Sequence, residues 1–125
     1  MALTNDLIGA GEAVLLSQLL GQSQEEAKTA TGTTRTDAYA LTATTTQFTT
    51  VASGTGAVLP ASSGVVQTDW YVKNDGSNAL TVYAAGSDTI SGTAGATGVS
   101  VVNAEGALFK RLVAGGGWIV FPMGT

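Results

Sequence analysis

The stretch that decides the fold runs from Val65 to Pro122 and reads VVQTDWYVKNDGSNALTVYAAGSDTISGTAGATGVSVVNAEGALFKRLVAGGGWIVFP. Short segments alternate between apolar and polar residues, and turns rich in Gly, Asn, Asp and Ser separate them. A period of two places one side of each segment in a core and the other side in solvent or against a partner. The sequence therefore predicts an all-β protein whose polar groups are mostly small and uncharged.

The composition indicates one domain with little surface charge. The chain has 125 residues, of which 44% are hydrophobic, 6% are aromatic and 11% are charged. Soluble domains carry about 25% charged residues, which keep a free monomer in solution. The scarcity of charge favours a surface that is covered by other subunits. The alternative is a monomer with a neutral exterior rich in Thr and Ser.

Charge and composition argue against several classes of partner. A net charge of −4 and a pI near 4.4 disfavour nucleic-acid binding, which needs a cationic face. The chain contains no cysteine, so extra stability must come from packing or oligomerisation. No segment has the pattern of a signal peptide or of a membrane span, so we expect synthesis and assembly in a cytoplasm, with no membrane partner.

The sequence before the β segments predicts an N-terminal arm over residues 1–36 and a β domain over residues 37–125. A short helix is predicted from Glu12 to Leu20, and residues 22–36 read as a polar linker. The apolar face of the helix consists of Leu15, Leu16, Leu19 and Leu20. These leucines either pack on the β domain of the same chain or dock on a partner, and the sequence favours neither.

Eight strands are predicted in the β domain. They are Tyr39–Thr42, Gln47–Val51, Ala57–Leu59, Gln67–Lys73, Ala79–Tyr83, Val99–Val102, Ala107–Val113 and Trp118–Phe121. The turn sequence NDGSN (74–78) predicts a hairpin between the fourth and fifth of these strands. The number and spacing of the strands predict a small antiparallel sandwich, a jelly roll or a barrel. The sequence has no clean internal repeat.

Catalytic chemistry has few candidates. The chain contains no histidine and no cysteine, so the commonest general base and the commonest metal ligands are missing. The carboxylates Asp69, Asp75, Asp88 and Glu105 remain, but Asp75 and Asp88 stand in turn sequences that explain an aspartate by local backbone bonding. A calcium site at either position would lack the spacing of a calcium-binding loop. We expect no enzyme activity, no cofactor and no metal.

Four aromatic residues permit two interpretations. Trp70, Tyr71, Tyr83 and Trp118 could form a platform for stacking sugars, or the two tryptophans could fill a core that is otherwise poor in aromatics. The second interpretation is favoured. Tyr71 and Tyr83 would then face the opposite side and become candidates for surface contacts.

The residues from Phe48 to Pro122 resemble a β module of tailed-phage virion proteins. The pattern is carried by Asn74, Gly76, Asn78, Leu80, Val82 and Tyr83, then by Gly86, Asp88, Thr89, Ile90 and Gly92, and finally by Val99, Val101, Phe109, Gly117 and Trp118. Proteins with this module look like capsid decoration (cement) proteins, head fibres or tail-fibre segments, and they are typically trimeric. The N-terminal arm lies outside the resemblance.

The resemblance implies a homotrimeric decoration protein that binds the major capsid protein on the outside of a phage head and stabilises the shell. Its location would be the virion. The alternative function is a fibre or adhesin module that binds host glycan through Tyr71 and Tyr83. An interface with the capsid or between subunits is expected to use these two tyrosines together with Leu15, Leu16, Leu19 and Leu20.

Overall fold

A computed structural model describes residues 23–65, 68–112 and 116–124, and this part of the chain is all-β. The strands are β1 (Gln24–Thr29), β2 (Tyr39–Ala40), β3 (Thr45–Thr50), β4 (Gly56–Val58), β5 (Asp69–Asn74), β6 (Leu80–Tyr83), β7 (Thr89–Ile90), β8 (Thr93–Ala94), β9 (Val99–Val101), β10 (Gly106–Arg111) and β11 (Gly117–Gly124). Each of the eight predicted strands overlaps an observed one. The strands β1, β7 and β8 were not predicted.

Two sheets are formed, and the chain passes repeatedly from one to the other. Sheet A has the order β1-β3-β5-β10-β11-β7-β8, and sheet B has the order β2-β4-β6-β9. The strands β1, β3 and β5 pair in parallel, as do β2, β4 and β6. The chain therefore runs in coils, each of which adds one strand to sheet A and the next strand to sheet B. The first three coils contain β1 and β2, β3 and β4, and β5 and β6.

This topology suggests a β-solenoid rather than the predicted jelly roll, sandwich or barrel. Gln24, Thr45 and Tyr71 stand in one row across the parallel strands of sheet A, one residue from each coil. The coils differ in length and sequence, which is why the structural repeat leaves no repeat in the sequence. After the third coil, β9 and β10 return antiparallel to β6 and β5.

The predicted hairpin at residues 74–78 is wrong. The strands β5 and β6 on either side of this turn belong to different sheets, so the turn forms a corner between them. The buried Asn74 side chain donates to the carbonyl oxygens of Asn78 (2.8 Å) and Val101 (2.9 Å). A Cβ built on Gly76 would lie 2.6 Å from Val51 of the preceding coil, so the turn packs on the coil before it. The turn residues at 74–78 thus predicted that the chain changes direction, but they did not predict which strand pairs with β5.

The predicted polar linker is also corrected. Within residues 22–36, strand β1 pairs in parallel with β3, Ala30 is buried, and a short 3-10 helix begins at Arg35. The strand lies at the edge of sheet A, where charged side chains are common and the alternating pattern is weak. Such a strand looks like a linker in sequence. The predicted helix Glu12–Leu20 lies outside the described residues.

The core lies between the two sheets. Trp70 and Trp118 are buried there in an edge-to-face arrangement, with ring centroids 6.2 Å apart. Phe48 and Phe109 are fully buried as well, and aliphatic side chains such as Val72 complete the cluster. The prediction that both tryptophans serve the core is confirmed.

Candidate functional site

An apolar patch lies on the outer face of sheet A, on the side turned away from the core. We call it the outer patch, and it consists of Tyr71 on β5, Leu108 on β10, and Ile119, Phe121 and Met123 on β11. Tyr71 is paired with Leu108, and Leu108 is paired with Phe121, so these three side chains form one row across three strands. Ile119, Phe121 and Met123 are 37%, 44% and 50% exposed.

The patch arises because the last strands are apolar on both sides. Trp118 and Val120 of β11 face the core, and alternation turns Ile119 and Phe121 outward. A strand with one face in water normally carries polar residues on that face. The run WIVFPM (118–123) breaks this rule, and it is the sequence signal that could have located the patch. The strand itself was predicted from the sequence, but its apolar outer face was not.

Ion pairs border the outer patch on two sides. The Lys110 ammonium lies 2.9 Å from the Asp69 carboxylate, and the Lys73 ammonium lies 3.1 Å from the Asp75 carboxylate. Asp75 also accepts a hydrogen bond from the Gln47 amide at 2.8 Å. This bond and, after it, the contact with Lys73 lower the pKa of Asp75. The border therefore carries two acids and two bases and is neutral overall.

Tyr71 and Tyr83, both predicted to be exposed, have different environments. Tyr71 is half-buried within the outer patch, whereas Tyr83 is only 6% exposed and lies on sheet B. The prediction of an exposed ring is therefore wrong for Tyr83. The structure does not bring the two tyrosines together on one surface.

Tyr83 is covered by another part of its own chain. Leu80 and Val82 of β6 face the core, so the Tyr83 ring lies on the outer side of sheet B. Its hydroxyl donates to the Thr33 carbonyl at 3.4 Å. Gly56 and Gly98 make room for the ring, because a Cβ on either would lie about 3 Å from it (2.9 and 3.0 Å).

The segment that covers Tyr83 is residues 31–37, which we call the covering loop. Arg35 donates from Nη1 to the carbonyl oxygens of Ala84 (3.1 Å) and Gly86 (2.7 Å). Asp37 accepts from the Thr34 amide and hydroxyl, both at 2.9 Å. These bonds, the amide first, lower the pKa of Asp37. The covering loop is thus tied both to itself and to the turn after β6.

Three of the four carboxylates considered for catalysis or metal binding, Asp69, Asp75 and Asp88, have structural contacts. Asp88 accepts from the Ser62 amide at 2.7 Å and from the Ser62 hydroxyl at 3.0 Å. Asp69 and Asp75 are paired with lysines, as described above. Within residues 23–65, 68–112 and 116–124, no three Asp, Glu, His or Cys side chains gather in a way that could hold a metal ion. The same residues contain no helix long and apolar enough to cross a membrane.

Another carboxylate, Glu25, joins β1 to β2 and to the residues that follow β2. It accepts from the Tyr39 hydroxyl at 2.6 Å and from the Thr42 hydroxyl at 3.3 Å. The hydrogen bond that Tyr39 donates to Glu25, followed by burial, raises the pKa of Tyr39 to about 12. These two hydrogen bonds fix β1 against β2, and both oxygens of the Glu25 carboxylate accept a bond.

The arrangement is suited to binding by burial of apolar surface. The outer patch offers aromatic, aliphatic and thioether groups within a neutral border. Leu15, Leu16, Leu19 and Leu20, also predicted as interface residues, lie outside the described residues. No family model, curated protein sequence or solved structure matches this chain.

Proposed function

We propose that this protein is a capsid decoration protein of a tailed phage. In this proposal a homotrimer binds the outer surface of the head and bridges neighbouring major capsid subunits, so that the shell resists the pressure of packaged DNA. The observation that carries it is the outer patch, an apolar surface on a small two-sheet domain with few charges. The resemblance of residues 48–122 to phage virion modules supports the same function.

The proposed mechanism is burial of surface at a site that only the assembled shell presents. The β domain serves as the assembly element, and the leucines of the N-terminal arm serve as the attachment element. Burying one leucine side chain contributes about 1.5–3 kcal/mol before ordering costs. Three arms on one trimer would bind with avidity, so even a part of this energy gives stable attachment.

The direct test is cosedimentation with capsids purified from a mutant of the source phage that lacks this gene. We expect saturable binding to the assembled shell and none to unassembled capsid subunits. The full-length L16D/L19D variant should remain folded and lose binding. Normal binding by this variant would contradict the role of the arm, and absence of binding by the wild-type protein would contradict the proposed function.

A second candidate function is a fibre or adhesin module that binds glycan. It is favoured by Tyr71 and Phe121, which lie in one row of the outer patch with Leu108 between them. Burial of Tyr83 removes one of the two rings first considered. Binding on a glycan array that is lost in the Y71A variant would support this function in place of the first.

A further inference from the structure

We propose that the outer patch is the surface through which copies of this chain associate, with three outer patches meeting around a threefold axis. The proposed function supplies only the expected copy number. The location of the contact follows from the shape, chemistry and charge of the patch, and it can be tested without capsids.

The composition of the patch is that of an interface centre. Tyr, Phe and Met are enriched in the buried centres of protein interfaces, which are surrounded by a polar rim. Here Tyr71, Phe121 and Met123 occupy the centre, and the ion pairs Asp69–Lys110 and Lys73–Asp75 form the rim. Contiguous apolar patches on the surface of soluble proteins are often binding surfaces.

The rim charges favour a copy of the same chain as the occupant. Along β5 the outward side chains are Asp69, Tyr71 and Lys73, which are an acid, a ring and a base. Asp69 is paired with Lys110 and Lys73 with Asp75, so each end of the border presents both signs, and the border of a neighbouring copy can match acid to base at either end. Such complementarity sets orientation and specificity more than affinity. A strongly acidic or basic partner would find no matching field, because the border is neutral.

The outer patch is large enough to form the centre of an interface but too small to form a whole one. From β5 to β11 it spans two strand spacings, about 10 Å. A stable interface buries about 800 Å² on each partner, so the contact must extend over the charged rim. In a trimer each chain meets two neighbours, which lets one patch contribute to two contacts.

The first experiment measures mass in solution by light scattering coupled to size exclusion. The wild-type chain should have about three times its mass of 12.5 kDa. The I119K/F121K variant should fall to the mass of one chain and keep its circular dichroism spectrum. The control V102K introduces one lysine at an apolar residue that is 43% exposed and lies outside sheet A, and it should keep the wild-type mass. A monomeric wild type, or a folded I119K/F121K variant of unchanged mass, overturns the proposal.

A second experiment keeps the proposal testable if I119K/F121K does not fold. The chain has no cysteine, so F121C introduces a single thiol into the patch, and S100C introduces one on the exposed side of sheet B. We expect the F121C thiol to react with a maleimide severalfold more slowly than the S100C thiol, and we expect this protection to disappear on dilution. Equal rates at every concentration overturn the proposal.

The same labelling separates a second copy from the other possible occupants. Protection that does not change on dilution, and that is lost when L16D/L19D is added, would assign the patch to residues of the N-terminal arm and overturn the proposal. Protection that develops only when capsids are added would assign the patch to the capsid and would also overturn the proposal. A wild-type protein that is trimeric but does not bind capsids would contradict the proposed function and leave the trimer contact standing.

Discussion

The outer faces of the two sheets differ in how far their aromatic side chains are buried. On sheet B, the Tyr83 ring lies over Gly56 and Gly98 and under the covering loop, and it is 6% exposed. On sheet A, Tyr71 and Phe121 lie in a patch whose β11 side chains are 37% to 50% exposed. The two tyrosines occupy equivalent positions, each turned away from the core on a strand of the third coil. The covering loop, and not the strand, therefore decides whether an outward ring is buried.

The largest effect is expected from Y83A, with Y71A as its matched comparison. Y83A empties a covered site and should cost about 3–5 kcal/mol of unfolding free energy, as is typical for a buried aromatic residue. Y71A should cost about 1 kcal/mol in the isolated chain, because its ring is half-exposed. Chemical denaturation of both variants in the I119K/F121K background keeps assembly out of the measurement. Equal losses would mean that the two faces do not differ in the way described.

The corner that joins the two sheets should be the next most sensitive point. N74A leaves the carbonyls of Asn78 and Val101 and the amide of Gly76 without their partner. We expect a loss of about 2–4 kcal/mol, since unpaired buried polar groups are costly.

The matched control for N74A is N78A, which removes one hydrogen bond to Val51 from an exposed side chain in the same turn. It should cost about 1 kcal/mol. If N78A is as damaging as N74A in chemical denaturation, the corner is held by its outer residues and not by the buried asparagine.

A smaller effect is expected from releasing the covering loop. R35A removes the two hydrogen bonds to the carbonyls of Ala84 and Gly86 and should cost about 1–2 kcal/mol. Hydrogen exchange should accelerate in residues 31–37 and 83–86 and stay unchanged in β10 and β11. Faster exchange throughout sheet A would show that the covering loop supports both faces, which would break the comparison.

The smallest effect concerns pH. Hydrogen bonds from Thr34 place the pKa of Asp37 in the folded chain below its ordinary value of 3.8. The stabilising contribution of this carboxylate is therefore complete above 3.8 and is lost as the pH falls through the lower, folded pKa. The Thr34 amide resonance should shift only in that acidic window, and D37N should abolish the shift. Between pH 5 and 8 the fold should not respond, because the chain has no histidine. A transition of the Thr34 amide above pH 4 would contradict this assignment.

The strands themselves could be predicted because alternation and turn residues are local signals. The inward positions of Trp70, Val72 and Trp118 follow from a period of two, and all three are buried. Strand partners could not be predicted in the same way. The turn NDGSN is compatible with a hairpin and with a corner between sheets, and only packing against Val51 of the preceding coil distinguishes them.

Of the candidate site, Tyr71 was predicted and its neighbours in the patch were not. Leu108 and Phe121 are distant from Tyr71 in sequence and meet it only through the antiparallel register of β5, β10 and β11. The β1 strand was missed for a related reason. Its polar edge sequence gains an ordered position from backbone bonds to β3, which leave no apolar pattern.

Residue type and short-range spacing were sufficient to predict the all-β class, the strands with clear alternation, the tryptophan core and the scarcity of charge. The folded structure was needed to show that the chain alternates between two sheets, that Tyr83 is covered and that Tyr71 joins an open patch. Strand pairing and side-chain burial depend on contacts between residues that are far apart in the sequence, and a local pattern of residues carries no information about those contacts.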